Sequence, residues 1–207
     1  MSTLISPTAE PVLLDGVSWA TYTCLLKDFG DSHAARLAYD QGRLEIMAPS
    51  FAHEQLKHLL ALLVEVLAYE LGVDLLGAGS TTLKREDVAR GFEPDASFYS
   101  QHAAAIRGKM TIDLAIDPPP DLVIEIDITH PSLDKLPIYA AIGVSEVWRY
   151  DGQQVFVHRL EGNRYRQAET STVLPGVATG QIAQFLSTGQ HMSRAAWFAT
   201  IQTWART

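Results

Sequence analysis

DLVIEIDITHPSLDK, residues 121–135, reads as an apolar strand interrupted by acids. Side chains along a strand alternate between its two faces. Leu122, Ile124, Ile126 and Ile128 therefore share one face, and Asp121, Val123, Glu125, Asp127 and Thr129 share the other. Glu125 and Asp127 project the same way, with Cα atoms about 6–7 Å apart. A carboxylate buried in mid-strand without a partner is costly. These acids need solvent, a basic partner or a metal ion. Lys135 follows at the start of the next element.

The segments on either side alternate between helix and strand patterns. Downstream, SLDKLPIYAAIG predicts a helix with Pro137 near its first turn and Gly143 as its stop. VSEVWRYDGQQVFVHRL predicts a strand, an Asp-Gly turn and a returning strand. Another strand and a C-terminal helix around Ile182 to Phe185 follow. Upstream, the run Pro118-Pro119-Pro120 closes a polar connection over residues 101–120. FEPDASFYS predicts a short strand opened by Pro94, and VDLLGAGSTTLKRED predicts strands and a turn. Leu56, Leu59, Leu60, Leu63, Val64 and Leu67 recur at helical spacing. They predict a helix over about His53 to Leu71, capped by Ser50 and stopped by Gly72. ARLAYDQGRLEIM predicts two strands about Asp40-Gln41-Gly42, and WATYTCLLKDF a short helix from Trp19. The expected fold is α/β (α+β), a mixed sheet flanked by helices. The expected domain spans residues 19–190, between a loose N-terminal arm (1–18) and a C-terminal tail with helical character (191–207).

The 207 residues are enough for one domain with a sizeable core. Hydrophobic residues at 47% and charged residues at 19% place the chain among soluble globular proteins. No apolar run reaches the ~20 residues needed to span a bilayer. The N-terminus lacks the basic start and apolar stretch of a secretory signal, so a cytoplasmic location without membrane attachment is the expectation. A single cysteine, Cys24, excludes an intramolecular disulfide and a cysteine metal cluster. The net charge of −8 argues against a dedicated, metal-free DNA-binding module, which would be basic.

A second acid stands in EPDASFY, where Asp95 follows Pro94 and precedes an apolar strand. Two strands that each offer an acid to one cleft suit a hard divalent cation. Mg²⁺ prefers oxygen ligands and keeps several waters. It activates water and stabilises charge on a phosphate. A lysine such as Lys135 would position that water or the phosphate.

Pro94-Asp95, then Glu125 on an apolar strand, then a lysine resembles the PD-(D/E)XK nuclease superfamily. Four blocks, GRLEIMAPSFAHE, EPDASFY, PPPDLVIEIDIT and IYAAIGVSEVWRYD, resemble the Uma-two family of bacterial restriction-endonuclease-like proteins. The resemblance implies a restriction-endonuclease-like fold and an endonuclease, a hydrolase of phosphodiester bonds. It implies Mg²⁺, with Mn²⁺ as a substitute, and a nucleic-acid substrate, DNA first. It carries over Asp95 and Glu125 as metal ligands. Asp127 occupies the position of the superfamily's lysine, as a third ligand or as the partner of a base. In the family that lysine moves to the following helix, four residues before a tyrosine, and Lys135 and Tyr139 match this spacing. Glu45 and His53 lie in blocks that carry the resemblance, and Glu54 is the alternative to Glu45 as an acid from upstream. His53 would orient a ligand or act in proton transfer.

Each residue also has a structural reading. Asp95 suits a turn or cap, Glu125 an ion pair with Arg149, Lys135 a solvated helix start and His53 a cap. Glu54 suits a first helical turn and Glu45 a solvent-facing strand. Lys84, Arg85, Arg90, Arg107 and Lys109 would track a phosphate backbone or stand as ordinary loop charges. Trp148 suits core packing. The rival reading is a nuclease-fold binding or regulatory module without chemistry, and a third is hydrolysis of a small phosphoester. A homodimer follows only if both strands of a duplex are cut.

Overall fold

The computed structural model describes residues 11–30, 35–128 and 133–206. At its centre is β8 (Leu122–Ile126), buried along its whole length. It pairs antiparallel with β7 (Ala96–Tyr99) and parallel with β9 (Glu146–Tyr150). A parallel pair requires a crossover, and α4 (Leu136–Ile142) lies in it. β10 (Val155–Glu161) and β11 (Arg164–Ala168) extend the sheet beyond β9, and β4 (Leu76–Gly79) forms the edge beside β7. The expected strand through Thr129 is realised as far as Ile126, and Thr129 lies outside the described residues.

A second, antiparallel sheet has the order β1 (Val12–Leu14), β3 (Arg43–Met47), β2 (Arg36–Asp40), β6 (Arg90–Phe92) and β5 (Leu83–Arg85). The sequence pattern predicts one mixed sheet. The β2–β3 hairpin instead pairs outward with β1 and β6. Its turn has positive φ at both Gln41 (48°) and Gly42 (107°), the conformation that matches strand twist in a two-residue hairpin. Residues 12–14, expected in a loose arm, are an edge strand, because the open side of β3 accepts an extended segment. Residues 1–10 of that arm lie outside the described residues. α1 (Trp19–Phe29) covers this sheet by stacking Tyr22 on Tyr39, ring centroids 4.7 Å apart.

α2 (Phe51–Leu71) lies over one face of the central sheet. Ser50 Oγ accepts the His53 N–H (3.2 Å), and Gly72 ends the helix at φ 66°. Leu59, Leu60, Leu63, Val64 and Leu67 pack with Leu122, Ile124, Ile126, Trp148 and Val157. Each such side chain contributes about 1.5–3 kcal/mol by leaving water. α5 (Thr179–Gly189) and α6 (Arg194–Ala205) join the same layer. The expected C-terminal tail is therefore largely helix α6, with Trp197 and Ile201 fully buried. Trp148 is core, as its place on β9 suggests.

α4 occupies the other face, between the two sheets. Ile138, Tyr139 and Ile142 pack with Val123 and Val147 of the central sheet and with Ala38, Leu83 and Phe92 of the second. This sandwich puts the start of α4 beside Glu125. Among the described residues no helix is long and apolar enough to cross a membrane.

Two further buried acids, Asp121 just before β8 and Glu146 on β9, hold the fold. Asp121 accepts the N–H groups of Ser100 and His102 and faces His102 Nδ1 at 2.7 Å, which ties β8 to the short helix α3 (Ala103–Ile106). Glu146, fully buried, accepts from Trp148 Nε1, Ser171 Oγ, Thr172 N and Thr172 Oγ1 at 2.6–2.7 Å. Glu146→Ala strands these donors, so it is expected to lower stability by about 2–4 kcal/mol. Urea unfolding measures this, and a wild-type midpoint would refute the assignment.

Candidate active site

The acids that the sequence singles out converge where β7 and β8 meet the start of α4. Asp95 opens β7 and is 4% exposed. Its Oδ2 accepts the Ile126 N–H (2.8 Å), which ties the acid to the end of β8. The same oxygen lies 3.2 Å from Nε2 of buried His53 on α2. Glu125 points to the α4 side. Its Oε1 accepts from Tyr139 Oη (2.6 Å) and its Oε2 from Lys135 Nζ (2.9 Å). Lys135 and Tyr139, four residues apart, thus grip the two oxygens of one carboxylate. Nζ of Lys135 also lies 3.9 Å from Oε1 of Glu45, whose Oε2 accepts the Leu133 N–H (3.0 Å).

Glu45 therefore belongs to this cluster. Glu54, the alternative acid, is 40% exposed and faces Lys57 (2.5 Å) and Arg36 (3.9 Å). Asp127 accepts from Arg149 Nε, so in this geometry it partners a base. The sequence suits Arg149 as an ion-pair partner for Glu125, which it faces across the β8–β9 register. Lys135 and Tyr139 hold Glu125, and Arg149 turns to Asp127 instead. Of the basic residues proposed to follow a phosphate backbone, Arg85, Arg90, Arg107 and Lys109 pair with Asp87, Asp40, Asp74 and Asp117. Lys84 is exposed on β5.

The site opens to solvent through a pocket of about 420 Å³. Glu125, Asp127, Lys135, Tyr139 and Arg149 line it, with Asp134 and apolar Leu133, Leu136 and Val147. Asp95 is buried and is not among the residues that line this pocket.

Burial and mutual charge set the protonation of the cluster. Burial raises the pKa of Glu125 to about 7 against the pull of Lys135, and the charges of Asp95 and Asp127 add to the rise. Burial opposes the Lys135 charge, but Glu125, Asp95 and Glu45 outweigh it and hold the ammonium above its ordinary range. Burial would also raise Asp95, yet His53, Lys135 and the Ile126 N–H bring it below its usual value. Burial lowers His53, but Asp95, Glu125 and Glu54 reverse the shift and raise it. Tyr139 is raised well above normal, by burial first and Glu125 second, so it stays a phenol that donates to Glu125.

Among the described residues no group of three or more His, Cys, Asp or Glu side chains is arranged to hold a metal ion unaided. The oxygen donors of Asp95 and Glu125 nevertheless fit Mg²⁺, which takes one or two carboxylates and fills its other positions with water and phosphate oxygens. Charge points the same way. Glu45, Asp95 and Glu125 surround one lysine, an excess of two negative charges when Glu125 is ionised and His53 is neutral. A divalent cation would cancel that excess.

Local pattern indicates Asp95 and Glu125, and the family resemblance adds the Lys135–Tyr139 pair and His53. Arg149 as a pocket wall was missed, and the signal was its place on β9, directly beside Glu125 in a parallel register.

No curated protein matches the chain. Among solved structures it resembles one from Anabaena variabilis described as "a putative nuclease belonging to DUF820". The match covers 82% of this chain and 99% of that one, at 15% identity and a TM-score of 0.52. This likeness shows the fold, which is restriction-endonuclease-like. The family model Uma2, "Putative restriction endonuclease", matches residues 19–193, and the chain belongs to that family.

Proposed function

We propose that the protein is a divalent-metal-dependent nuclease that hydrolyses phosphodiester bonds at the Asp95–Glu125–Lys135 cluster. The observation that carries this reading is Lys135 Nζ at 2.9 Å from Glu125, reached from α4 although Asp127 occupies the superfamily's lysine position. Asp95 and Glu125 would hold Mg²⁺, or Mn²⁺ in its place. When bound, the cation supplies a more acidic water and stabilises charge on the phosphate. Lys135 stands at the pocket wall, where its ammonium orients the attacking water or offsets charge on a phosphate oxygen. Tyr139 fixes the Glu125 rotamer through Oε1. His53 and the Ile126 N–H fix Asp95. Glu45 fixes the approach of Lys135 by holding the Leu133 N–H.

The net charge of −8 and the paired state of Arg85, Arg90, Arg107 and Lys109 favour a second reading, a nuclease-fold module that binds without cutting. One panel separates the two. Purified protein is incubated with plasmid, linear single-stranded DNA, RNA and a small phosphodiester, in Mg²⁺, Mn²⁺ and excess chelator. Cleavage is expected in metal, none in chelator, and none above trace for Asp95→Asn. No cleavage of any substrate in either metal would give the second reading the ground. Cleavage of the small phosphodiester alone would place the substrate outside nucleic acid.

A further inference from the structure

The sheet face that carries Glu125 continues beyond the pocket. The register sets Glu125 beside Arg149, Arg149 beside Phe156, and Val147 beside His158. Directly paired residues share a face, so Arg149, Phe156 and His158 stand on the Glu125 side. α4 covers one end of this face, where Val123, Val147 and Tyr165 pack against it. The other end opens at Glu125 and Arg149 into the pocket. Strands lie about 4.8 Å apart, so Phe156 stands about 10 Å from Glu125 with Arg149 between them.

Phe156 is half-buried and belongs to none of the four core clusters formed by the described residues. Its ring centroid lies 6.5 Å from that of half-buried His158. Burial and the Arg149 charge keep His158 below the ordinary histidine range, which makes it a neutral aromatic surface near pH 7. Arg149 Nε donates to Asp127, and the side chain is 37% exposed at the pocket wall. A guanidinium has five N–H donors, so one partner does not exhaust it.

An arginine followed by two aromatic rings suits a nucleotide whose base is out of its stack, with the phosphate on the cation and the base on the rings. In a duplex the base faces are already covered. A duplex binder would instead need a broad basic surface, and Arg85, Arg90, Arg107 and Lys109, cations that the sequence offers for a phosphate backbone, are engaged by acids. We propose that Arg149, Phe156 and His158 form a platform for an unpaired nucleotide next to the cleaved phosphate, so that the substrate is single-stranded or locally melted nucleic acid. This rests on the nuclease reading and gives it a substrate class.

The test is fluorescence anisotropy with a short labelled single strand and the matching duplex, in Ca²⁺ to limit cleavage, together with cleavage in Mg²⁺. Wild type, Phe156→Ala, Phe156→Leu and Phe156→Trp are compared after thermal melts establish folding. Wild type is expected to bind the single strand more tightly than the duplex. Phe156→Ala and Phe156→Leu are expected to weaken single-strand binding roughly five- to hundredfold, as loss of one stacked base does, and Phe156→Trp to retain it. The effect should fall on KM and not on kcat. Phe156→Leu keeps an apolar side chain of similar bulk, so its loss of binding cannot be ascribed to a cavity. Wild-type affinity in Phe156→Leu, or a preference for duplex, would overturn the platform while cleavage by wild type left the nuclease reading standing. Absence of both binding and cleavage in wild type would overturn the two together.

Discussion

Glu125→Gln is expected to lower Mg²⁺-dependent cleavage by about three orders of magnitude in a protein that still folds. Glutamine has nearly the same shape, and its carbonyl can accept from Tyr139 or Lys135, the two donors that now hold the carboxylate. The negative charge that a divalent cation requires is lost. With Glu125 ionised, the excess of two negative charges around Lys135 falls to one, so the attraction for a cation weakens as a cation ligand disappears. Two measurements check this together. Added Mg²⁺ should raise the Tm of wild type and leave that of the variant nearly unmoved, and cleavage should follow the same pattern. Cleavage by Glu125→Gln at the wild-type rate would remove the site from consideration.

The same carboxylate links stability to pH. Its folded pKa, about 7, lies above its ordinary value of 4.5. A raised pKa means that the folded protein binds the proton more tightly than the unfolded chain. The corresponding stability is complete below about pH 4.5 and is lost as pH climbs through about 7. Glu125→Gln lacks this titration, so metal-free wild type should lose stability relative to the variant across that interval. Cation binding needs the ionised acid, so apparent Mg²⁺ affinity should rise over the same interval and level off above it.

Local pattern carried much of this architecture. The alternation of Leu122, Ile124 and Ile126 with Val123 and Glu125 is a short-range property, and the strand has the two faces that it predicts. The Pro137 and Gly143 limits of α4 are likewise local. The features that were not legible depend on contacts between distant residues. Glu45 and Glu54 are equivalent candidates in the sequence. What separates them is a hydrogen bond from Leu133, 88 residues from Glu45, and the nearby Lys135. Glu93, two residues before Asp95, is also buried, but it accepts from Leu37 N–H and Thr82 Oγ1 and so braces the second sheet. A buried acid is thus ambiguous until its donors are known. Backbone and hydroxyl donors make Glu93 and Glu146 structural, while the lysine and neighbouring acids at Glu125 leave charge for a cation to balance. The second sheet was missed for a related reason. Nothing in ARLAYDQGRLEIM specifies that its hairpin pairs with β1 and β6.

Lys135→Met should have the other large effect, and its two consequences can be read separately. Without Nζ, Glu45, Asp95 and Glu125 share a buried space with no lysine among them. Breaking a buried pair by removing one partner costs about 3–5 kcal/mol. The cost should depend on pH. Loss of the neighbouring cation moves the Glu125 pKa further up from about 7, so the variant should sit closer to wild type at acid pH, where Glu125 takes a proton, and fall away as pH rises. Mg²⁺ should then stabilise Lys135→Met more than wild type, because it supplies the missing positive charge. Cleavage should nevertheless remain about a hundredfold or more below wild type, since the added charge does not stand where Nζ stands at the pocket wall. Lys135→Arg separates charge from position. It restores a cation, so most of the stability should return, but its planar fork cannot place a compact ammonium 2.9 Å from Glu125, and activity should stay low. Wild-type stability and cleavage in Lys135→Met would make Lys135 a solvated helix start, leaving the buried charge of Glu125 without the partner on which the proposed chemistry depends.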